Sequence, residues 1–137
     1  MDLQTEASEL ACLPINVSRD VVTSRAIGKK HAEAMGLGTR DVIKISTAVS
    51  ELARNIVQHA KGPGQIHFYK YESNGQRGIG IVAQDQGQGM SDPEGIIRHS
   101  ASIMSGGLFG SKRAADLFAI DSKPGGGTKV QLVKWAC

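Results

Sequence analysis

The sequence predicts an α+β fold, a two-layer α/β sandwich with helices on one face of a mixed, mostly antiparallel sheet. Three observations carry that expectation. Apolar residues from Val42 to Ala60 recur at helical spacing over about 20 residues. Gln65–Tyr71 alternates, Asn74-Gly75 follows, and Gly78–Ala83 is an apolar run, which together spell a β-hairpin. Helical and strand patterns are also segregated along the chain, roughly βααββ, a loop, then αββ. That order suits helices packed on one face of a sheet better than a doubly wound parallel sheet.

Residues 1–10 are polar and aperiodic and read as a loose N-terminal tail, leaving 11–137 as a single domain. A short strand is expected around Cys12–Val17. Ser18 is a suitable N-cap for a helix carrying Val21, Val22, Ala26, Ile27 and Met35, which Gly36 would stop. Thr39 can cap the next helix, whose apolar arc is Val42, Ile45, Val49, Leu52, Ala53, Ile56 and Ala60. Lys44, Thr47, Glu51, Arg54, Asn55 and Gln58 gather on its other side, and Lys61-Gly-Pro-Gly64 marks its end. After the hairpin come Asp85-Gln-Gly87-Gln-Gly89 and a Ser- and Gly-rich stretch from about His99 to Gly110 that reads as a loop or lid. Ser111–Phe118 is expected to be a third helix, Ala119–Ser122 a strand, Pro124–Gly127 a turn and Thr128–Trp135 the closing strand.

Composition removes several function classes. A chain of 137 residues has room for one core. Hydrophobic residues at 40% and charged residues at 21% describe a folded globular protein. Sixteen Lys and Arg against 13 Asp and Glu give a net charge of only +3, scattered along the chain, which argues against nucleic-acid binding. No apolar run approaches the roughly 18 residues of a membrane span. Acidic residues Asp2, Glu6 and Glu9 stand where a signal peptide would be basic and then apolar, so a reducing cytoplasm is the expected compartment. Cys12 and Cys137 lie near opposite ends, and the four histidines form no zinc spacing. Glycine is the outlier, 17 residues against an average share of roughly 7%.

The common phosphate loops do not explain that surplus. Gly106–Lys112 has the wrong spacing for G-x-x-x-x-G-K-[ST], Gly87–Asp92 lacks the last glycine of the dinucleotide fingerprint, and no G-x-S-x-G elbow occurs. Four features remain, each ordinary alone. Glu51, Asn55 and His59 fall at successive i, i+4 steps, and each step advances about 6 Å and turns about 40° beyond a full circle, so the three side chains can line one wall. Asp85-x-Gly87-x-Gly89 ends a buried strand, where a carboxylate can accept from an exocyclic amine and glycine lets a ring approach the backbone. Ser105-Gly-Gly-Leu-Phe-Gly110 leads into a helix start and offers amide donors to phosphate oxygens. Gly125-Gly-Gly127-Thr128 precedes the last strand.

In that order, the four features resemble the ATP site of the GHKL superfamily of kinases and ATPases. The likeness is strongest to RsbT-type serine/threonine kinases of stressosome and anti-sigma regulation, through Ser50-Glu-Leu-Ala-Arg-Asn55-Ile, Ala83-Gln-Asp85-Gln-Gly87, Gly107-Leu, Gly110-x-Lys112-Arg113 and Lys134-Trp135. It covers nearly the whole chain after Val17.

The resemblance implies that Asn55 ligates Mg²⁺ and that Glu51 acts as general base or orients the substrate hydroxyl. Asp85 would accept from the adenine amino group, selecting against guanine, which shows an acceptor there. Gly87 and Gly89 would make room for the base, Gly106, Gly107 and Gly110 would form the lid over the phosphates, and Thr128 would support the adenine side. His59 would pack or touch phosphate. The family's lid follows a pattern like G-x-G-x-G-L-P-G, whereas Ile103, Ser105 and Phe109 stand here at its first Gly, second Gly and Pro. A β-branched Ile103 disfavours positive φ, which predicts a phosphate grip that is altered or completed by a partner.

The function so implied is an ATP- and Mg²⁺-dependent serine/threonine kinase for a STAS-domain protein, switching its binding to a PP2C-type phosphatase. The alternatives are an anti-sigma factor that sequesters a sigma factor, and a nucleotide-binding scaffold with weak or no transfer.

Overall fold

The computed structural model describes residues 6–59, 63–86, 115–122 and 126–136. The sheet contains β1 (Glu6–Ile15), β2 (Gly64–Ser73), β3 (Gln76–Asp85), β4 (Leu117–Ser122) and β5 (Thr128–Trp135), and the helices are α1 (Ser18–Ala34) and α2 (Thr39–His59). Strand order is β1-β2-β3-β5-β4, and every described pairing is antiparallel, so the parallel part of the expected mixed sheet is absent among the described residues. The two-layer α+β architecture is as the sequence predicts.

Several boundaries differ from expectation. Strand β1 starts at Glu6, inside the segment read as a loose tail, because its pairing partners lie some 60 residues away, with Glu6 opposite Glu72. Helix α1 begins one residue early, at Ser18 with Val17 as N-cap. The Asp20 carboxylate accepts from the backbone N–H groups of Asn16 and Val17 at 2.8 and 3.0 Å, and these bonds, Val17's foremost, hold its pKa below the usual aspartate value. The helix closes as expected at Gly36, with φ of 91°. Gly36 N–H donates to Glu33 and Leu37 N–H to Ala32, a Schellman motif. Leu117 and Phe118, expected to end a third helix, are strand residues of β4. Residues 111–114 of that helix and the turn residues Pro124 and Gly125 lie outside the described residues.

The helices pack on one face of the sheet. The core between the layers contains Ile45, Val49, Leu52 and Ile56 of α2 against Ile66, Phe68, Ile79, Ile81, Val130 and Leu132 of the strands. The buried positions of α1 are Ser24, Gly28 and Ala32, an i, i+4, i+8 stripe, whereas Val22, expected on the apolar face, is 72% exposed. Small residues decide this face because the approach is close: a Cβ on Gly28 would stand 3.0 Å from Val49 and 3.2 Å from Phe68.

Helix α2 is anchored to the sheet at both ends. Near its start, Lys134 of β5 stands 3.9 Å from Asp41 and 3.1 Å from Asp116. Near its end, Ile56 lies over Gly64 so closely that a Cβ on Gly64 would stand 2.3 Å from Ile56 Cγ2. On the sheet's other face, glycines seat aromatic rings, with Tyr71 lying over Gly80 and Trp135 over Gly78, which explains why β3 is buried on both sides.

His31 of α1 is half-buried, its ring 6.2 Å from that of Phe68. Burial first, and the Lys30 charge second, lower its pKa from the ordinary 6.5. A depressed folded-state value means the unfolded chain takes up the proton first as pH falls. The stabilisation is therefore complete above about pH 6.5 and lost as pH drops below it. Urea unfolding of the parent and of His31→Gln at pH 7.5 and 5.5 tests this, with the parent expected to lose more stability over that interval. Equal losses in the two proteins would contradict it.

Candidate active site

Strand parity builds the site. In β3, Ile79, Ile81 and Ala83 face the helices, and a period of two carries Asp85 onto the same face. Asp85 is paired with Gly64 on one side and with Thr128 on the other, and Thr128 is paired with Ser122. One row therefore crosses the sheet beneath the helices: Ile15, Gly64, Asp85, Thr128, Ser122. Because Ile56 rests on Gly64, the last turns of α2 lie over this row, and these turns carry Glu51 and Asn55, both half-buried.

The row has its own internal bonding. Thr128 is 8% exposed, and its hydroxyl lies 2.8 Å from that of Ser122, which also donates to the Gly127 carbonyl at 3.1 Å. Gly127 adopts φ of 79° and presses on the end of β3, so closely that a Cβ there would stand 2.3 Å from the Asp85 carbonyl oxygen. Only glycine satisfies both demands, since a side chain is strained at that φ and has no room against backbone. A cleft of about 270 Å³ opens at this edge, with Asp85, Ser122, Gly127 and Thr128 among its lining residues. A larger cleft of about 340 Å³ lies at the Asn74-Gly75 turn, at the opposite end of β2 and β3, and holds none of the sequence-predicted site residues.

On α2, Arg54 donates to the Glu51 carboxylate at 2.7 Å, an i, i+3 ion pair that holds the acid in place. The arrangement can do two things chemically. The helix-facing Asp85 offers an acceptor in a cleft that it lines with Ser122, Gly127 and Thr128, and α2 offers an amide oxygen and a carboxylate one turn apart. A carboxylate at that place suits a ligand that donates. A hard cation suits the Asn55 oxygen.

Of the sequence-predicted residues, Asp85 and Thr128 line the cleft, Glu51 and Asn55 lie on α2 ahead of Ile56 and are not among the cleft's lining residues, and His59 is the last residue of α2. Gly87, Gly89, Gly106, Gly107 and Gly110 lie outside the described residues, as do Ile103, Ser105 and Phe109. Sequence reasoning missed Ser122, whose one signal was its place at a strand end before a glycine run, and Gly64, whose importance rests on a distant Ile56.

The Gly127 contact makes a prediction. Gly127→Ala should lower stability by about 1–3 kcal/mol and weaken ATP binding by displacing the end of β3. Gly38→Ala, where nothing stands within 4 Å of the new Cβ, should leave both nearly unchanged. Thermal melts and ATP titration of the two variants check this, and a Gly127→Ala protein with parental affinity would show that Asp85's backbone setting does not matter.

Comparisons with known proteins give the family and the fold. Residues 16–134 match the family model described as histidine kinase-like ATPase domain. The serine/threonine-protein kinase RsbT of Bacillus subtilis (strain 168) is 39% identical over 131 residues, covering 93% of this chain and 98% of that protein. A crystal structure of the RsbU and RsbW domains of Rv1364c from Mycobacterium tuberculosis superposes with a TM-score of 0.57 at 19% identity, covering 91% of this chain and 32% of that one, a likeness of fold. A match across most of the chain, over the helices and strands that frame the Asp85 edge, places this protein in the histidine kinase-like ATPase domain family.

Proposed function

We infer that this chain is an ATP-dependent protein serine/threonine kinase of a partner-switching pathway, acting in the cytoplasm on a STAS-domain protein. The observation that carries the reading is the Asp85 edge: a helix-facing carboxylate in a cleft with Ser122 and Thr128, at the end of the strand row on which Ile56 seats α2, the helix that bears Glu51 and Asn55. The 39% identity to a serine/threonine kinase over nearly its full length supports the reaction class.

In this reading Asp85 accepts from the adenine amino group, and the Thr128–Ser122 hydroxyl pair keeps the neighbouring strand end in register. Guanine presents an acceptor at the same place and is rejected by the carboxylate. The Asn55 amide oxygen would hold Mg²⁺, and the ion would supply charge neutralisation at the phosphates. Glu51, oriented by Arg54, takes the proton of the substrate hydroxyl as its oxygen bonds to the γ-phosphoryl group and ADP departs. Phosphorylation would then exchange a STAS-domain partner for a PP2C-type phosphatase.

Incubation with γ-labelled ATP, Mg²⁺ and candidate STAS-domain proteins tests cofactor, reaction and partner together. Label is expected on a serine or threonine of one of them. Asp85→Asn should weaken ATP binding about tenfold or more, since a neutral amide oxygen is a weaker acceptor than a carboxylate and its NH2 group competes for the same place. Glu51→Ala should cut transfer by about 100-fold or more with binding largely kept. Unchanged ATP binding in Asp85→Asn would remove the adenine assignment. Capture of a sigma factor without transfer would replace the kinase with an anti-sigma factor, and binding of ATP with neither would leave a nucleotide-binding scaffold.

A further inference from the structure

The sheet face turned away from the helices carries a second cluster that the ATP site does not use. Glu9, Cys12 and His67 each bring one ligand atom within 4.8 Å of the others. His67 lies 55 residues beyond Cys12, and the three form no metal-binding spacing in the sequence. The sheet joins them, because Cys12 is paired with His67 across β1 and β2.

A β-bulge completes the group. Glu9 pairs with Tyr69 and Ala11 with Phe68, so Leu10 is an extra residue in β1. Positions three apart on a regular strand lie on opposite faces. The bulge brings Glu9 and Cys12 onto the same one.

The detailed geometry is that of a histidine prepared as a ligand. Glu9 Oε1 lies 2.6 Å from His67 Nδ1, which places the ring proton on Nδ1 and leaves the Nε2 lone pair free. Nε2 stands 3.9 Å from Cys12 Sγ, close to the roughly 3.5 Å that Zn–S and Zn–N bonds of about 2.3 and 2.0 Å subtend at a tetrahedral ion. Gln65 Oε1 lies 3.5 Å from the same sulfur. The Tyr69 ring, stacked 17° from the imidazole plane at 6.1 Å, steadies the ring's orientation.

We propose that Cys12 and His67 bind a zinc ion on the open face of the sheet, with Glu9 orienting the imidazole and the Gln65 oxygen and water completing the coordination. A thiolate and an imidazole select a borderline-soft ion over Mg²⁺, so this site and the proposed Asn55 site do not compete for one metal. Binding displaces the Cys12 thiol proton to solvent and involves no change of oxidation state. The ion would tie β1 to β2 on the face opposite the Asp85 cleft. The proposal is independent of the kinase reading.

The test is titration of the full chain, carrying Cys137→Ser to remove the second thiol, with Co²⁺ as spectroscopic probe and with Zn²⁺ against a chromophoric chelator. One equivalent of Co²⁺ should produce a thiolate-to-metal charge-transfer band. Cys12→Ser should abolish the band, His67→Gln should weaken Zn²⁺ binding at least about tenfold, and Glu9→Gln about 10–100-fold. A missing band, a band that persists in Cys12→Ser, or parental Zn²⁺ affinity in His67→Gln would overturn the proposal. Alkylation of Cys12 in the protein with both ligands intact decides the matter if a variant fails to fold: one equivalent of Zn²⁺ should slow it at least about tenfold, and an unchanged rate overturns the site.

Discussion

The seat of Ile56 on Gly64 is the contact on which the arrangement of this molecule depends. A helix normally rides above a sheet on interposed side chains. At this one place α2 comes down onto a residue that has none, with Ile56 filling the volume a Cβ would need. The contact falls on the row that ends β3, so the descent of the helix and the end of the strand coincide. With Asp41 near Lys134 at its other end, α2 has a fixed direction across the sheet, and its later turns meet the Asp85 edge. Were the helix rotated or lifted, Glu51 and Asn55 would still be one turn apart but would overlook a different part of the sheet.

Glycine provides the close approaches in each layer. Gly28 lets α1 pack tightly on Val49 and Phe68, Gly78 and Gly80 seat the rings of Trp135 and Tyr71, and Gly127 brings β5 against the last residue of β3. The rings cover backbone that would otherwise be bare on the face without helices. Two chemically different surfaces result. The helix-side edge carries the Asp85 carboxylate with the Thr128 and Ser122 hydroxyls, and the open face carries sulfur, imidazole and phenol groups along β1 and β2.

Much of this was legible in the sequence where information is local. The α2 period, the Asn74-Gly75 turn and the final strand reflect neighbours a few residues apart, and parity along β3 was enough to place Asp85 beside the core. Long-range pairing was not legible. Strand β1 read as a tail over Glu6–Leu10 because the partners of that stretch, Glu72 back to Tyr69, lie far along the chain. The buried side of α1 was legible in part: Val21, Ile27 and Met35 pack on the core as expected, whereas Ser24, Gly28 and Ala32, selected for smallness rather than apolarity, gave no apolar signal and Val22 faces out. Leu117 and Phe118 suited helix or strand by composition, and pairing with Val133 and Leu132 decided for strand. The box residues on α2 and β3 were found through their resemblance to a family pattern. Ser122 and the Glu9–Cys12–His67 cluster, which need the sheet to assemble them, were not.

The central claim is that the Asp85 edge receives the base of a nucleotide beneath α2. A crystal structure with Mg²⁺ and a non-hydrolysable ATP analogue tests it most directly. The account predicts the adenine amino group within about 3 Å of the Asp85 carboxylate and the Asn55 amide oxygen about 2.1 Å from the ion. An analogue bound away from Asp85, or an ion held without Asn55, would contradict it.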